Sequence, residues 1–392
     1  MLLKHLPDNS LSAPWAESDK IALLDLSEKK LEECIKSLDS APYRYNQIIN
    51  WLYRKDVLDF AFMTDISKDT KNHFAQFCTP SSRLKRLEVV TDNDGTVKIL
   101  WGLKDGLTVE SVLIDEGERL TLCLSTQVGC RMGCRFCRTG SMGLIRNLSQ
   151  GEIVCQIIES RRLLENPKKL TNLVLMGMGE PLDNPDNTFG SLSFITNPKF
   201  MAFNQRRVTL STVGVIPQLE KLSQAFKSQS FSLTISLGSA VDSVRSQIMP
   251  SNRAWPVDDL KKLLERFPLR PGWRFTFSYV MLEGVNDSKK QALALVKFLA
   301  HIKSKVNLIP FNPWPGAPFT RPKAESVLSF QKVLTDSNIS TFIRRTNGLD
   351  SNAACGLLVA KNQDRQNSSP TPPSQPFENP SDSPALPDSQ GY

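Results

Sequence analysis

Residues 119–137 read RLTLCLSTQVGCRMGCRFC: an apolar, strand-like run that gives way to three cysteines in nine positions, Cys130, Cys134 and Cys137. Three thiolates this close favour a soft metal. A structural zinc site takes four protein ligands, and the nearest further cysteine, Cys123, lies inside the predicted strand. An electron-transfer cluster also takes four cysteines. A 4Fe–4S cluster with one iron left open to a small molecule needs only three. Zinc stays open as the alternative at this point.

Outward from that stretch the chain alternates strands with helices. RLTLCLST, NLVLMGMG, RRVTLSTVG, FSLTISLG, RFTFSYVML and KVNLIPF have strand character, and QGEIVCQIIESRRLL, VDDLKKLLERF and SKKQALALVKFLAHI have helical spacing. Six strands with intervening helices predict an α/β fold with a parallel sheet, open or curled into a partial barrel. Ligands of such sheets sit at the carboxyl ends of the strands. The three cysteines, GMGE (177–180), STVG (211–214), SLG (236–238) and FNP (311–313) all fall at those ends.

The flanks differ in character. Residues 1–83 form a helical front end, in which Arg44, Arg54 and Lys55 interleave with Tyr43, Tyr45, Trp51 and Tyr53. That pattern suits RNA stacking and phosphate contact, or equally a packed core with a wet face. Residues 84–115 read as antiparallel strands broken by the turn signals DNDG and KDG, residues 116–360 as the α/β core, and residues 361–392 as a disordered Pro/Ser-rich tail. The net charge is +8, and the tail, with two basic and four acidic residues, leaves the body at +10. A basic body points to a polyanion partner. With only His5, His73 and His301, all remote from the cysteines, a histidine triad is disfavoured. The start lacks a signal-peptide pattern and no apolar run reaches membrane-span length, so a cytoplasmic protein with reduced thiols is expected.

CLSTQVGCRMGCRFC, GMGEPL, RRVTLSTVGVIP, YVMLEGVNDS, VNLIPFNPWPGAP and NAACGLL, in this order from about residue 20 to 360, resemble the RlmN/Cfr family of radical S-adenosylmethionine (SAM) RNA methyltransferases. The resemblance implies a six-stranded (β/α)6 partial TIM barrel with one 4Fe–4S cluster on Cys130, Cys134 and Cys137, and two SAM molecules used per turnover. Gly179 and Glu180 would receive the SAM amino group, and Ser211, Ser236, Leu237, Gly238 and Asn312 match further SAM positions. The family pattern Ser-Leu-His is here Ser236-Leu237-Gly238, so only backbone contacts can survive at Gly238.

Cys355 matches the cysteine that carries the methyl group, Cys123 the one that resolves the RNA adduct through a transient Cys123–Cys355 disulfide, and Glu110 the proton acceptor. Cys34, Cys78 and Cys155 read as core residues. The implied reaction is methylation of adenine carbon 2, at adenine 2503 of 23S rRNA and adenine 37 of some tRNAs. A reducing partner such as flavodoxin and a monomeric state go with it. Carbon-8 methylation of the same rRNA base, the Cfr activity, is the alternative within the class. A non-catalytic zinc-stabilised RNA-binding protein is the alternative outside it.

Overall fold

The computed structural model describes residues 2–4, 20–81, 84–226, 231–348 and 351–359. The expected tail, 361–392, lies outside the described residues, as does His5. Ten strands form one sheet: β1 Lys85–Thr91, β2 Val97–Gly102, β3 Thr108–Asp115, β4 Leu120–Cys123, β5 Leu170–Leu175, β6 Val208–Thr212, β7 Ser232–Ser236, β8 Phe275–Met281, β9 Ser304–Pro310 and β10 Thr341–Ile343. Their spatial order is their chain order. From β4 to β10 every pairing is parallel, whereas β1 to β4 are joined antiparallel.

The six expected parallel strands are β4 to β9. A seventh, β10, was not anticipated, because TFI is too short to carry a period-2 pattern. The alternation is clear in β8, where Phe275, Phe277, Tyr279 and Met281 are buried and the residues between them half-buried. Helices such as Gln150–Leu163 and Lys289–Leu299 connect successive strands and cover the sheet. The first of these opens with a reciprocal cap: Ser149 Oγ accepts from the Glu152 amide and the Glu152 carboxylate accepts from the Ser149 amide.

The antiparallel strands are not a separate body. β3 pairs with β4 through Val112 opposite Cys123, so one sheet runs from the extension into the core. The front end, with helices Glu28–Leu38, Arg44–Tyr53 and Lys68–Phe77, is likewise stitched to the core. Tyr53 stacks on Phe194 at 5.2 Å and meets Phe200 edge-on at 5.1 Å. Of the two readings of this pattern the packed core holds: Tyr45, Trp51 and Tyr53 are buried packing residues, Arg44 is buried beside Asp39, and of the four rings only Tyr43 is exposed. Among the described residues no helix is long and apolar enough to cross a membrane.

Candidate active site

The three cysteines sit on and after a small hairpin, Gln127–Cys130 with Gly143–Asn147, which lies directly beyond the end of β4. Gly129, at φ +76°, makes this hairpin possible, since a β-carbon there would lie 1.9 Å from the Gly143 carbonyl oxygen. Cys130, Cys134 and Cys137 line a cleft of about 1160 Å³ at the carboxyl ends of the parallel strands. The same cleft is lined by Gly179, Glu180, Ser211, Ser236, Gly238, Asn312 and Cys355. Tertiary structure thus brings together residues spread over 225 positions of the chain. Leu237 and Glu110 are not on its wall.

Backbone geometry explains several of these residue types. Gly179 has φ +103°, and a β-carbon there would lie 2.6 Å from Gln127 Cβ and 2.8 Å from its amide nitrogen. Gly177 packs as tightly against Leu124. Gln127 in turn accepts from the Glu180 amide at 2.8 Å, so the cysteine hairpin and the GMGE turn are one unit. Glu180 is buried, and its oxygens accept from the Leu182 amide at 3.0 Å and the Val213 amide at 2.9 Å. Burial pushes its carboxyl up to about 7, opposed by those amides. Ser211 Oγ and Ser236 Oγ face one another at 3.5 Å.

Leu237 is wholly buried, its amide donating to Ser278 and its carbonyl accepting from Arg245. At Gly238 φ is +68° and a β-carbon would meet Met249 Sδ at 2.7 Å. Its carbonyl accepts from buried Asn286 at 2.7 Å.

A second cavity, of about 1470 Å³, adjoins the cleft. Cys123 lines it, with Val112, Asp94, Arg345 and Ala354. Six residues line both spaces: Met176, Ile309, Asn312, Arg344, Leu358 and Cys355. Cys355 is therefore open to the cysteine cleft on one side and to Cys123 on the other. All eight cysteines are free thiols in this state. Burial pushes the Cys123 thiol up to about 12, and Cys355 is raised by its surroundings too, with Arg344 pulling both the other way.

The segment carrying Cys355 is held from three directions. Asp94 accepts from the Gly348 amide at 2.9 Å, and Asp92 from the Ser351 amide at 3.1 Å and its hydroxyl at 3.0 Å. Asn312 donates to the Cys355 carbonyl at 3.3 Å. Glu110 accepts from the Val359 amide at 2.8 Å and pairs with Lys98 at 3.3 Å. Burial raises the Glu110 carboxyl, with Lys98 opposing. The antiparallel extension thus clasps the strap that crosses the mouth of the partial barrel.

Sequence reasoning missed Arg344, Gln127, Arg245 and the two turn aspartates. Arg245 is fully buried and donates to the carbonyls of Leu237 and Val213 and to Asn252, fixing the strand-end loops, and burial pulls its guanidinium down to about 10. Gln127 lies inside the cysteine motif and the aspartates inside the DNDG turn, but neither pattern assigns them a role; Arg344 and Arg245 carry no motif signal. A buried arginine on a seven-residue helix reads as a surface residue until the fold is known.

The donor set suits an iron–sulfur cluster. Burial raises the thiols of Cys130, Cys134 and Cys137, with repulsion from Cys137 adding to the first two and from Cys355 to the third, so their thiolates need a strongly cationic partner. Among the described residues no three His, Cys, Asp or Glu side chains close around a single ion. Three thiols from one loop, each able to take its own iron, fit a cluster. Beyond them the cleft leaves room for a small molecule, with Glu180 as its one carboxylate among the described residues.

Comparison with known proteins agrees. Residues 21–79 match the ribosomal RNA large subunit methyltransferase N-terminal domain, and residues 124–296 the radical SAM superfamily. A dual-specificity RNA methyltransferase RlmN of Syntrophobacter fumaroxidans is 40% identical over 343 residues, covering 88% of this chain and 99% of its own. One from Desulfotalea psychrophila is 40% identical over 362 residues, covering 89% and 97%. The crystal structure of a radical SAM methyltransferase from Sphaerobacter thermophilus superposes with a TM-score of 0.80 at 38% identity, over 86% of this chain and 99% of that one. A non-catalytic zinc protein is thereby set aside. Radical SAM enzymes hold a 4Fe–4S cluster and SAM, the two groups this cleft suits, and with both its front end and its core matched the chain belongs to the RlmN family of radical SAM RNA methyltransferases.

Proposed function

We propose that this methyltransferase acts on carbon 2 of adenine, in 23S rRNA at the base numbered 2503 and in tRNA at position 37, using Cys355 as the carbon carrier. The observation that supports this reading is the place of Cys355 at the junction of the two cavities, with the cysteine triad on one side and Cys123 on the other. An adenine carbon is a poor nucleophile, so direct displacement of a methyl group from SAM is a poor route. When bound, the cluster and SAM supply an electrophilic methyl group in one half of the cycle and a hydrogen-abstracting 5′-deoxyadenosyl radical in the other, two SAM molecules in all.

Cys130, Cys134 and Cys137 would hold the cluster. Gly179, Glu180, Ser211, Ser236 and Asn312 would hold SAM, with Gly238 contributing backbone only. Leu237 would act through the loop it buries rather than by contact. The Cys355 thiolate takes up the methyl group and presents that carbon to a base in the second cavity. Joining that carbon to the adenine ring would cost the ring carbon its hydrogen, which leaves as a proton to Glu110 or with help from Cys123, and one electron, given up to the bound cluster. Release follows when the Cys123 thiolate attacks the Cys355 sulfur. The sulfur–carbon bond breaks, its electron pair stays with the product carbon, which takes a proton, and a Cys123–Cys355 disulfide forms. An outside reductant, such as a flavodoxin with a thiol system, restores both thiols. Glu110, whose raised proton affinity suits a proton acceptor, would have to give up Val359 to serve in that role.

The relatives' shared name supports carbon 2 over carbon 8. The test is anaerobic turnover on transcribed 23S rRNA and tRNA, followed by nucleoside mass spectrometry against synthetic standards. 2-Methyladenosine is expected, and 8-methyladenosine would replace this reading. Peptide mass spectrometry of freshly isolated protein should find Cys355 heavier by one methylene.

A further inference from the structure

A groove of about 940 Å³ lies at the foot of the sheet, where the front end meets the core. Arg54, Asp56, Arg161, Lys168, Asn204 and Arg207 line it. Lys168 stands in the turn just before β5 and Arg207 immediately before β6, so both are at the amino ends of parallel strands, opposite the rim that bears the cysteines. Arg54 and Asp56 follow the second front-end helix, and Arg161 ends the helix Gln150–Leu163.

The charges do not balance. Asp56 is already engaged by Arg161, whose Nε approaches it at 3.1 Å and which also donates to the Tyr53 carbonyl at 3.1 Å. Arg54 donates to the Pro198 carbonyl, a neutral group that leaves its charge uncompensated. The exposed side chains of Lys168 and Arg207 form no hydrogen bond or ion pair among the described residues. Four cations thus face one carboxylate that is spoken for. The groove is open to solvent rather than enclosed, which suits a chain of anions lying against it.

We propose that this groove grips the phosphate backbone of the substrate RNA, on the side of the molecule remote from the reacting base. The inference rests on the reading of the chain as an RNA methyltransferase and adds where it holds the RNA. The reach is consistent. The helix Gln150–Leu163 starts at the rim, where Gln150 donates to the Leu24 carbonyl, and its last turn bears Arg161. Fourteen residues at 1.5 Å each put the groove roughly 21 Å from the rim, a distance a folded RNA stem spans easily. The front end bridges the two: Leu24 meets the rim end of that helix, and the second front-end helix opens onto the groove.

The experiment compares wild-type holoenzyme with Lys168→Glu/Arg207→Glu and the milder Lys168→Gln/Arg207→Gln, both at exposed positions that no part of the cleft uses. RNA affinity is read by fluorescence anisotropy with labelled transcribed tRNA over a salt series, and methyl loading of Cys355, which needs no RNA, by peptide mass spectrometry. Loss of two phosphate contacts flattens the slope of log K against log salt by about 1.4 to 1.8. The Gln pair should weaken RNA affinity several-fold at low salt and the Glu pair more, with Cys355 loading unchanged. Unaltered slope and affinity in the Gln pair, with normal loading, overturn the proposal. Saturable binding of inorganic phosphate at these residues without any change in RNA affinity would also overturn it, in favour of a small free anion. Wild-type protein that binds RNA with the expected slope yet methylates none leaves the groove standing and removes the functional reading instead.

Discussion

On the cysteine side of Cys355 the wall is built from short motifs whose backbone is fixed locally. Gly177 and Gly179 press against residues 124–127, Glu180 is held by its neighbours' amides, and Ser211 and Ser236 project from adjacent strand ends. On the Cys123 side the wall is assembled from widely separated parts of the sheet. Val112 and Cys123 come from β3 and β4, Arg344 follows β10, and the strap 351–359 is hung from Asp92, Asn312 and Glu110. The first cavity is therefore preorganised by close backbone packing between neighbouring strand ends, and the second by hydrogen bonds that tie a separate strap to the sheet. Binding of the small cofactor should be robust to changes at the sheet edge, while delivery of the base to Cys355 should not be.

Breaking the shared point is the largest effect. Cys355→Ala should abolish methyl transfer and form no RNA adduct, while Cys123→Ala should accumulate a covalent protein–RNA species on denaturing gels. A Cys123→Ala protein that turns over freely without adduct would dissolve the division of labour between the two cavities.

Next is Gly179→Ala, which strikes the cysteine side alone. A β-carbon 2.6 Å from Gln127 Cβ on a backbone at φ +103° costs about 1–3 kcal/mol of strain, so SAM affinity should fall on the order of tenfold. Gly106→Ala, also at positive φ but with open space around it, is the control for backbone strain alone. Equal losses of SAM affinity from both would show that contact with Gln127 is irrelevant.

Glu180 sharpens the contrast through pH. With its carboxyl raised to about 7, it is ionised above that pH and neutral below it. Anaerobic calorimetry should find SAM binding weakening as pH falls through about 7, with proton release on binding near neutrality. Glu180→Gln should flatten that dependence. A wild-type affinity level from pH 6 to 8 would remove Glu180 from cofactor recognition.

The smallest effect concerns the strap. Asp92→Asn weakens charge-assisted hydrogen bonds worth about 1.5–3 kcal/mol in all. Amide exchange of residues around 351–355 should quicken and turnover fall a few-fold, with SAM affinity unchanged. A matching loss of SAM affinity would mean the two cavities are not built independently.

The cysteine side was legible because each of its pieces follows a strand pattern, and strand ends of a parallel sheet meet by topology. The Cys123 side was legible only through family resemblance, and even there the expected proton acceptor, Glu110, is found holding Val359 beside Lys98. β10 escaped notice since three residues carry no periodicity, and with it went Arg344. The front-end aromatics were ambiguous for a related reason: a helix with rings and cations reads alike whether its rings face RNA or a second layer. Only the presence of Phe194 and Phe200 opposite Tyr53 turns them inward.

The sequence by itself determined the alternation of strands and helices, the triad of thiols after the first strand, and the placing of the Gly- and Ser-rich pieces at strand ends. These depend on periodicity and local sterics, which act over a few residues. What the tertiary structure decided is that the antiparallel edge continues the sheet, that its turn and its glutamate clasp the strap bearing Cys355, and that Cys355 opens on two cavities at once. Those facts depend on which distant surfaces bury one another, and no spacing along the chain records that.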